Sequence, residues 1–177
     1  MPAILLAGFG GQGILFAGKQ LVLAGMNSDM QVSWLPSYGP EMRGGTCNCS
    51  INIENEPIGS PLVTNPDVLV AFNKPSYDKF VSKVKPGGYV FIDSSLIGEK
   101  CERNDITSVY IPCTALADKN GFSKLANVIM LGRMIKVLEL FTKEYFTQCL
   151  KASSPKAKPE LAELNNTAFE LGYNYKD

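Results

Sequence analysis

Short, wholly apolar runs alternate with amphipathic stretches along most of the chain, and the two periods separate strands from helices. Residues 2–7 (Pro-Ala-Ile-Leu-Leu-Ala) are apolar without a break and end at glycine, as a strand buried on both faces does. Gly8-Phe9-Gly10-Gly11-Gln12-Gly13 follows, then an apolar-periodic stretch over 14–24, so the chain opens as strand, glycine loop, helix. Residues 29–35 predict a second strand, and 36–45 a polar loop rich in Pro and Gly. Over 46–54 the pattern alternates, with Cys47, Cys49, Ile51 and Ile53 on one side and Asn48, Ser50 and Asn52 on the other. Asn55-Glu56 predicts a turn into a partner strand over 57–63, and one polar face predicts that this part of the sheet is antiparallel.

Residues 68–72 read as a buried strand, 75–83 as a helix, Pro86-Gly87-Gly88 as a turn, and 89–93 and 108–112 as the last strands. From Ser123 the chain turns helical, with Val128, Leu131, Ile135 and Leu138 at helical spacing. Pro155 and Pro159 punctuate a Lys-containing linker. A final helix follows, opened by Pro159, striped by Leu161, Leu164, Ala168 and Leu171, and closed by Gly172. Parallel-type units beside an alternating hairpin predict a three-layer α/β/α domain with a mixed sheet and a Rossmann-like N-terminal strand, Gly loop and helix. The expected division is a main domain over 1–152, then a Pro-flanked linker and C-terminal helix over 153–177.

Composition narrows the chemistry. Lys plus Arg equals Asp plus Glu at 17 each, so no basic excess points to nucleic acid. No apolar run reaches the ~20 residues of a membrane span, and the N-terminus lacks the zones of a signal peptide, so a cytoplasmic location is expected. The five cysteines, Cys47, Cys49, Cys101, Cys113 and Cys149, form no C-x-x-C pair, which argues against a four-cysteine cluster or a zinc ribbon. With no histidine, Ser-His and Cys-His nucleophiles and His-ligated metals are excluded. No metal site is expected, and electron carriers, if any take part, belong on another chain.

Two loops carry the candidate chemistry. Gly8-x-Gly10-x-x-Gly13 has the spacing of a dinucleotide-binding turn, where glycines admit close backbone approach and free N–H groups attract an anion. The acidic residue that completes that fingerprint is missing: the second strand ends Ser33-Trp34-Leu35-Pro36, and Asp29 lies at its start. A tight turn that packs helix on strand, or meets a partner, is the favoured reading. In Ser37-Tyr38-Gly39-Pro40-Glu41-Met42-Arg43-Gly44-Gly45, the two charges can pair locally or reach across an interface. The two loops are expected side by side, at the carboxyl ends of neighbouring strands.

Taken together and in order, Gly8-Phe9-Gly10-Gly11-Gln12-Gly13-Ile14, Ala17-Gly18, Trp34 through Gly45, and Cys49-Ser50 resemble the gamma subunit of 2-oxoacid:ferredoxin oxidoreductases. Ile58-Gly59-Ser60-Pro61, Pro66-Asp67, Asn73 with Ser76, Lys85-Pro86-Gly87-Gly88, and Asn127 with Leu131-Gly132 extend the resemblance to about residue 145. The resemblance implies an enzyme that converts a 2-oxoacid and coenzyme A to acyl-CoA and CO2 while reducing ferredoxin. It implies no cofactor on this chain, with thiamine diphosphate, iron–sulfur clusters and coenzyme A held in the complex. It also implies alpha and beta partners, a delta ferredoxin-like partner in some forms, and no activity for this chain alone. The loop wording is closest to the 2-oxoglutarate and branched-chain types. Interface or anion-contact roles then fall on Gly8, Gly10, Gly11, Gln12, Gly13, Ser37, Tyr38, Glu41, Arg43, Gly44, Gly45 and Asn127. A free-standing Rossmann-type nucleotide binder and a pure assembly scaffold are the alternatives.

Overall fold

The computed structural model describes residues 2–37, 46–154 and 159–176. Side chains alternate along β1 (Ala3–Phe9), sending Ile4 and Leu6 into one core and Leu5 and Ala7 into another on the opposite face. That alternation sets the layers. Helix α1 (Ile14–Met26) returns to the first face, and β2 (Gln31–Ser37) and β3 (Thr46–Glu54) pair antiparallel. Strands β4 (Val68–Ala71), β5 (Tyr89–Asp93) and β6 (Thr107–Ile111) extend the sheet in parallel from β1, giving the order β2-β3-β1-β4-β5-β6. Between β4 and β5, helix α2 (Lys74–Phe80) and a 3-10 turn over Val81–Lys83 cover the second face. Helices α3 (Cys113–Lys119), α4 (Ala126–Leu138), α5 (Lys143–Ala152) and α6 (Pro159–Tyr173) join α1 on the first. The fold is the expected mixed three-layer α/β/α arrangement, with one heavily covered face and one thin one.

The segment over 57–63 is not the partner strand expected of β3; the partners of β3 are β1 and β2. Pro57 and Pro61 have no N–H to give to a ladder. The segment is held instead by side chains of β3. Asn52 Nδ2 donates to Ser33 Oγ at 2.9 Å and to the carbonyls of Ser60 and Pro61 at 3.3 Å each. Val63 N donates to Ser50 Oγ at 3.2 Å. The polar side of β3 is therefore covered at Ser50 and Asn52, and these groups replace backbone pairing with side-chain pairing.

Helix α3 gives no sign of itself in the sequence, because its N-terminal groups are satisfied from afar. The buried Asp93 carboxylate, at the end of β5, accepts from Thr114 Oγ at 2.6 Å and Thr114 N at 3.2 Å. A carboxylate at a helix N-terminus is favoured by the orphan N–H groups and the dipole there. Gly172, expected to close the last helix, lies within it. A Cβ built on Gly172 would overlap the Ile129 carbonyl oxygen of α4, and one on Gly132 would overlap the Phe169 carbonyl oxygen of α6. The two glycines bring the backbones of α4 and α6 together. The expected stripe of α6 is redistributed in consequence: Ala168 is buried with Phe169 and Gly172, while Leu161 and Leu164 are exposed.

Candidate functional site: the glycine loop

The C-terminal ends of β1, β4 and β5 share one edge of the sheet, and the loop over 8–13 closes the end of β1 there. Gly11 and Gly13 have φ of +98° and +74°, which an L side chain rarely adopts. At Gly13 a side chain would also overlap the Asn127 amide. Gln12 sits between these glycines and folds back into the loop. Its Oε1 accepts from Phe9 N at 2.6 Å and Asn73 Nδ2 at 3.2 Å, while its Nε2 donates to Phe72 O at 3.0 Å. Asn73 Oδ1 accepts from Ser76 N at 2.9 Å and so caps α2. From the other side, Asn127 Nδ2 at the start of α4 donates to Gly13 O at 3.0 Å. Three carboxamides thus fix the loop to β4, α2 and α4.

This geometry turns the glycine loop inward. The Phe9 N–H is spent on Gln12. The second requirement of a dinucleotide site also fails, since that site places the second strand beside the first. Here β3 lies between β1 and β2, antiparallel to both. The end of β2, where a ribose would be held, is two strands away. The loop forms a tight turn tied to Phe72 at the end of β4 and to the start of α4.

Gly8, Gly10, Gly11, Gln12, Gly13 and Asn127 are thus brought together. Ser37 pairs with Asn48, and Phe9 with Thr46, so the chain leaves β2 and enters β3 at the edge where the glycine loop sits. The parent strands of the two loops are not neighbours, contrary to expectation, because β3 separates them. Tyr38, Glu41, Arg43, Gly44 and Gly45 lie outside the described residues. Asn73 was not among the expected site residues, although Asn followed by Lys-Pro is a recognisable helix start.

The cysteines do not fit a cluster. Burial pushes the Cys49 thiol up to about 12, against a hydrogen bond from Trp34 that lowers it, and burial raises Cys47 and Cys113 as well. Thiols so placed carry little thiolate near neutral pH. Among the described residues no three Cys, Asp or Glu side chains converge as a metal site. Cys101 differs. Burial acts to raise it, but hydrogen bonds from Tyr77, Ser108 and the Arg103 backbone, with the Arg103 charge, outweigh that and lower it. No helix among the described residues is long and apolar enough to cross a membrane.

Residues 3–175 match the family model described as pyruvate ferredoxin/flavodoxin oxidoreductase. The ketoisovalerate oxidoreductase subunit VorA of Methanothermobacter marburgensis is 35% identical over 97% of this chain, which spans only 36% of that relative. The 2-oxoglutarate synthase subunit KorC of Methanocaldococcus jannaschii is 36% identical over 96% of this chain and 91% of its own length. Among solved structures, the keto/oxoacid ferredoxin oxidoreductase gamma subunit of Geobacter sulfurreducens PCA superposes with a TM-score of 0.82 at 27% identity, over 98% of this chain and 96% of that one. A 2-oxoglutarate:ferredoxin oxidoreductase from Magnetococcus marinus shares the fold at a TM-score of 0.86 and 24% identity, over 96% of this chain and 30% of that one. With the glycine loop, the inserted β3 and nearly every residue accounted for, the chain belongs to the pyruvate ferredoxin/flavodoxin oxidoreductase family.

Proposed function

We propose that this chain is the gamma-type subunit of a 2-oxoacid:ferredoxin oxidoreductase, and that it works only in a complex. The observation that carries the reading is the match to KorC over 91% of that subunit's length, with the family model spanning residues 3–175. The partners are alpha and beta chains and, in some forms, a ferredoxin-like delta chain, in the cytoplasm. Thiamine diphosphate and iron–sulfur clusters on those chains supply decarboxylation and electron transfer, and coenzyme A accepts the acyl group. The described donor set fits neither a cluster nor the divalent cation of a thiamine site: the thiols are mostly buried and raised, and among the described residues no three acidic groups converge.

The role proposed for this chain's own residues is positional. Gln12, Asn73 and Asn127 hold the glycine loop rigid at the sheet edge, where the chain leaves Ser37 and returns at Thr46. The segment over 37–45 meets the partner from that edge, with Arg43 attracting a phosphate or carboxylate and Glu41 orienting it. The substrate is a 2-oxoglutarate- or branched-chain-type 2-oxoacid, in keeping with the relatives.

The test is anaerobic co-purification from the native host, recording partner masses, iron and thiamine diphosphate. The reading expects larger subunits and an eluate that reduces a viologen only when both 2-oxoacid and coenzyme A are supplied. A chain that emerges alone and colourless defeats it. Arg43→Gln then separates roles: unchanged assembly with unchanged coenzyme A kinetics removes Arg43 from the proposal.

A further inference from the structure

Strand β2 ends the sheet, and among the described residues nothing pairs with its outer edge. The ladder fixes which backbone groups face that way. The carbonyls of Ala3 and Ala7 point to β4, accepting from Asp67 N at 2.8 Å and Phe72 N at 2.9 Å, so Ile4, Leu6 and Gly8 turn theirs to β3. Their partners Ile51, Cys49 and Cys47 face β1 in return, which leaves Asn52, Ser50 and Asn48 to bond Ser33, Leu35 and Ser37 of β2. Val32, Trp34 and Pro36 therefore direct their backbone groups outward, away from the sheet.

The donors on this edge form a short, symmetric pattern. Pro36 has no N–H, and at the other end Met30 N already donates to Gly25 O at 3.1 Å. Val32 and Trp34 thus hold the free amides, flanked on both sides by positions that offer none. The pattern reads the same in either direction about Ser33. Edges are commonly guarded by charge, yet residues 31–37 carry no charged side chain, and Trp34 is 39% exposed.

We infer that β2 pairs antiparallel with β2 of a second copy of this chain, about a twofold axis at Ser33, and joins two six-stranded sheets into one. In that register the N–H and C=O of Val32 meet the C=O and N–H of Trp34 in the other copy, and the axis repeats the exchange. Pro36 falls opposite Met30, so positions without donors face each other. Val32 and Trp34 both lie on the face covered by α1, near Gly25 and Gly18, and come together as an aromatic and β-branched cross-strand pair. A strand of an unrelated chain has no reason to match this donor pattern. The reverse of β2 does match it and, being neutral, meets no like charge.

The experiment measures self-association of the whole chain by sedimentation, and crosslinking both in that chain and in the complex purified from the host. Ser33 faces its own copy across a non-hydrogen-bonded pair, so Ser33→Cys is expected to give a disulfide-linked dimer in mild oxidant. Gln31→Cys is not, because Gln31 falls opposite Leu35 and its two copies are too far apart to bridge. Ser33→Lys and Ser33→Glu each set like charges together and are expected to weaken self-association at least about tenfold, and an equal mixture of the two should restore it. That rescue distinguishes pairing from loss of fold. Parent-like association in both charged variants overturns the pairing, and so does a mixture that fails to rescue. A parent chain that stays monomeric, with no Ser33→Cys dimer alone or in the complex, overturns it as well. A Ser33→Cys crosslink to a different chain puts a foreign strand in place of the second copy and has the same result. The function proposed above is untouched by these outcomes, since it rests on co-purified subunits and their activity.

Discussion

The α4–α6 contact and the glycine loop both depend on glycine, yet they are held by opposite means. Between α4 and α6 the absence of a side chain is the interaction: Gly132 and Gly172 each face the other helix's backbone with no room for a methyl group. At the glycine loop the turn is open at Gly11, and three carboxamides supply the rigidity. Close-packed backbone cannot yield, whereas a hydrogen-bonded loop can be loosened one bond at a time. The first region is a weld that fixes the helix layer. The second is a set of ties, which suits a surface that must keep its shape while meeting a partner.

The sharpest way to break this comparison is at the weld. Gly172→Ala is expected to cost about 3 kcal/mol or more, because the helices must separate and neighbouring core contacts go with them. Gly59→Ala, where an added Cβ meets nothing within 4 Å, serves as the control and should be close to neutral in the same denaturation series. Equal effects at the two sites would refute the weld.

The ties should fail more gently. Gln12→Ala leaves the Phe9 N–H and the Phe72 carbonyl without their partner and is expected to cost about 1–3 kcal/mol. Gln12→Glu keeps the acceptor and loses the donor, so it should fall between. Loss confined to the loop will appear as faster amide exchange at Phe9. Asn52→Ala comes next, at about 1–2 kcal/mol, and should free the segment over 57–63 to proteolysis with the rest of the sheet intact. Unchanged cleavage there would mean that Asn52 does not hold the segment.

The smallest effect concerns reactivity rather than stability. Cys101 is held below the ordinary thiol range, so more of it is thiolate at pH 7 than in a free cysteine. Iodoacetamide should modify Cys101 first, and raising the pH from about 7 to about 8.5 should accelerate it less than a free thiol of ordinary pKa. Cys49 and Cys113, raised by burial, should react only on unfolding. Tyr77→Phe removes a hydrogen bond to Cys101 and should slow its labelling at pH 7. An unchanged rate would take Tyr77 out of that account.

Local patterns carried much of this fold. The run over residues 2–7, the alternation over 46–54 and the apolar run from Val68 each correspond to an observed strand, because a buried or half-buried strand imprints a period on its own residues. The glycine loop was visible for the same reason, because turn chemistry acts over three or four residues; the cap at Asn73 carries a signal of the same range that was not read. What the sequence could not show is where a partner lies far along the chain. Helix α3 takes its N-terminal carboxylate from Asp93, 21 residues before Thr114. Asn127 reaches Gly13 across 114 residues. Gly172 resembled a helix stop until α4 was placed against it.

The sequence by itself determined the class of fold, the inward-facing periods of most strands, the lack of histidine chemistry and the two loops that resemble a family. Tertiary structure alone decided that β3 enters the sheet between β1 and β2, so that a glycine loop of dinucleotide spacing has no ribose-binding strand beside it. It also decided that Gln12 fills the loop from within, and that Leu161 and Leu164 of the expected stripe stay exposed. The physical reason is the same in each case. Periodicity records which face of an element is buried, but not which other element buries it.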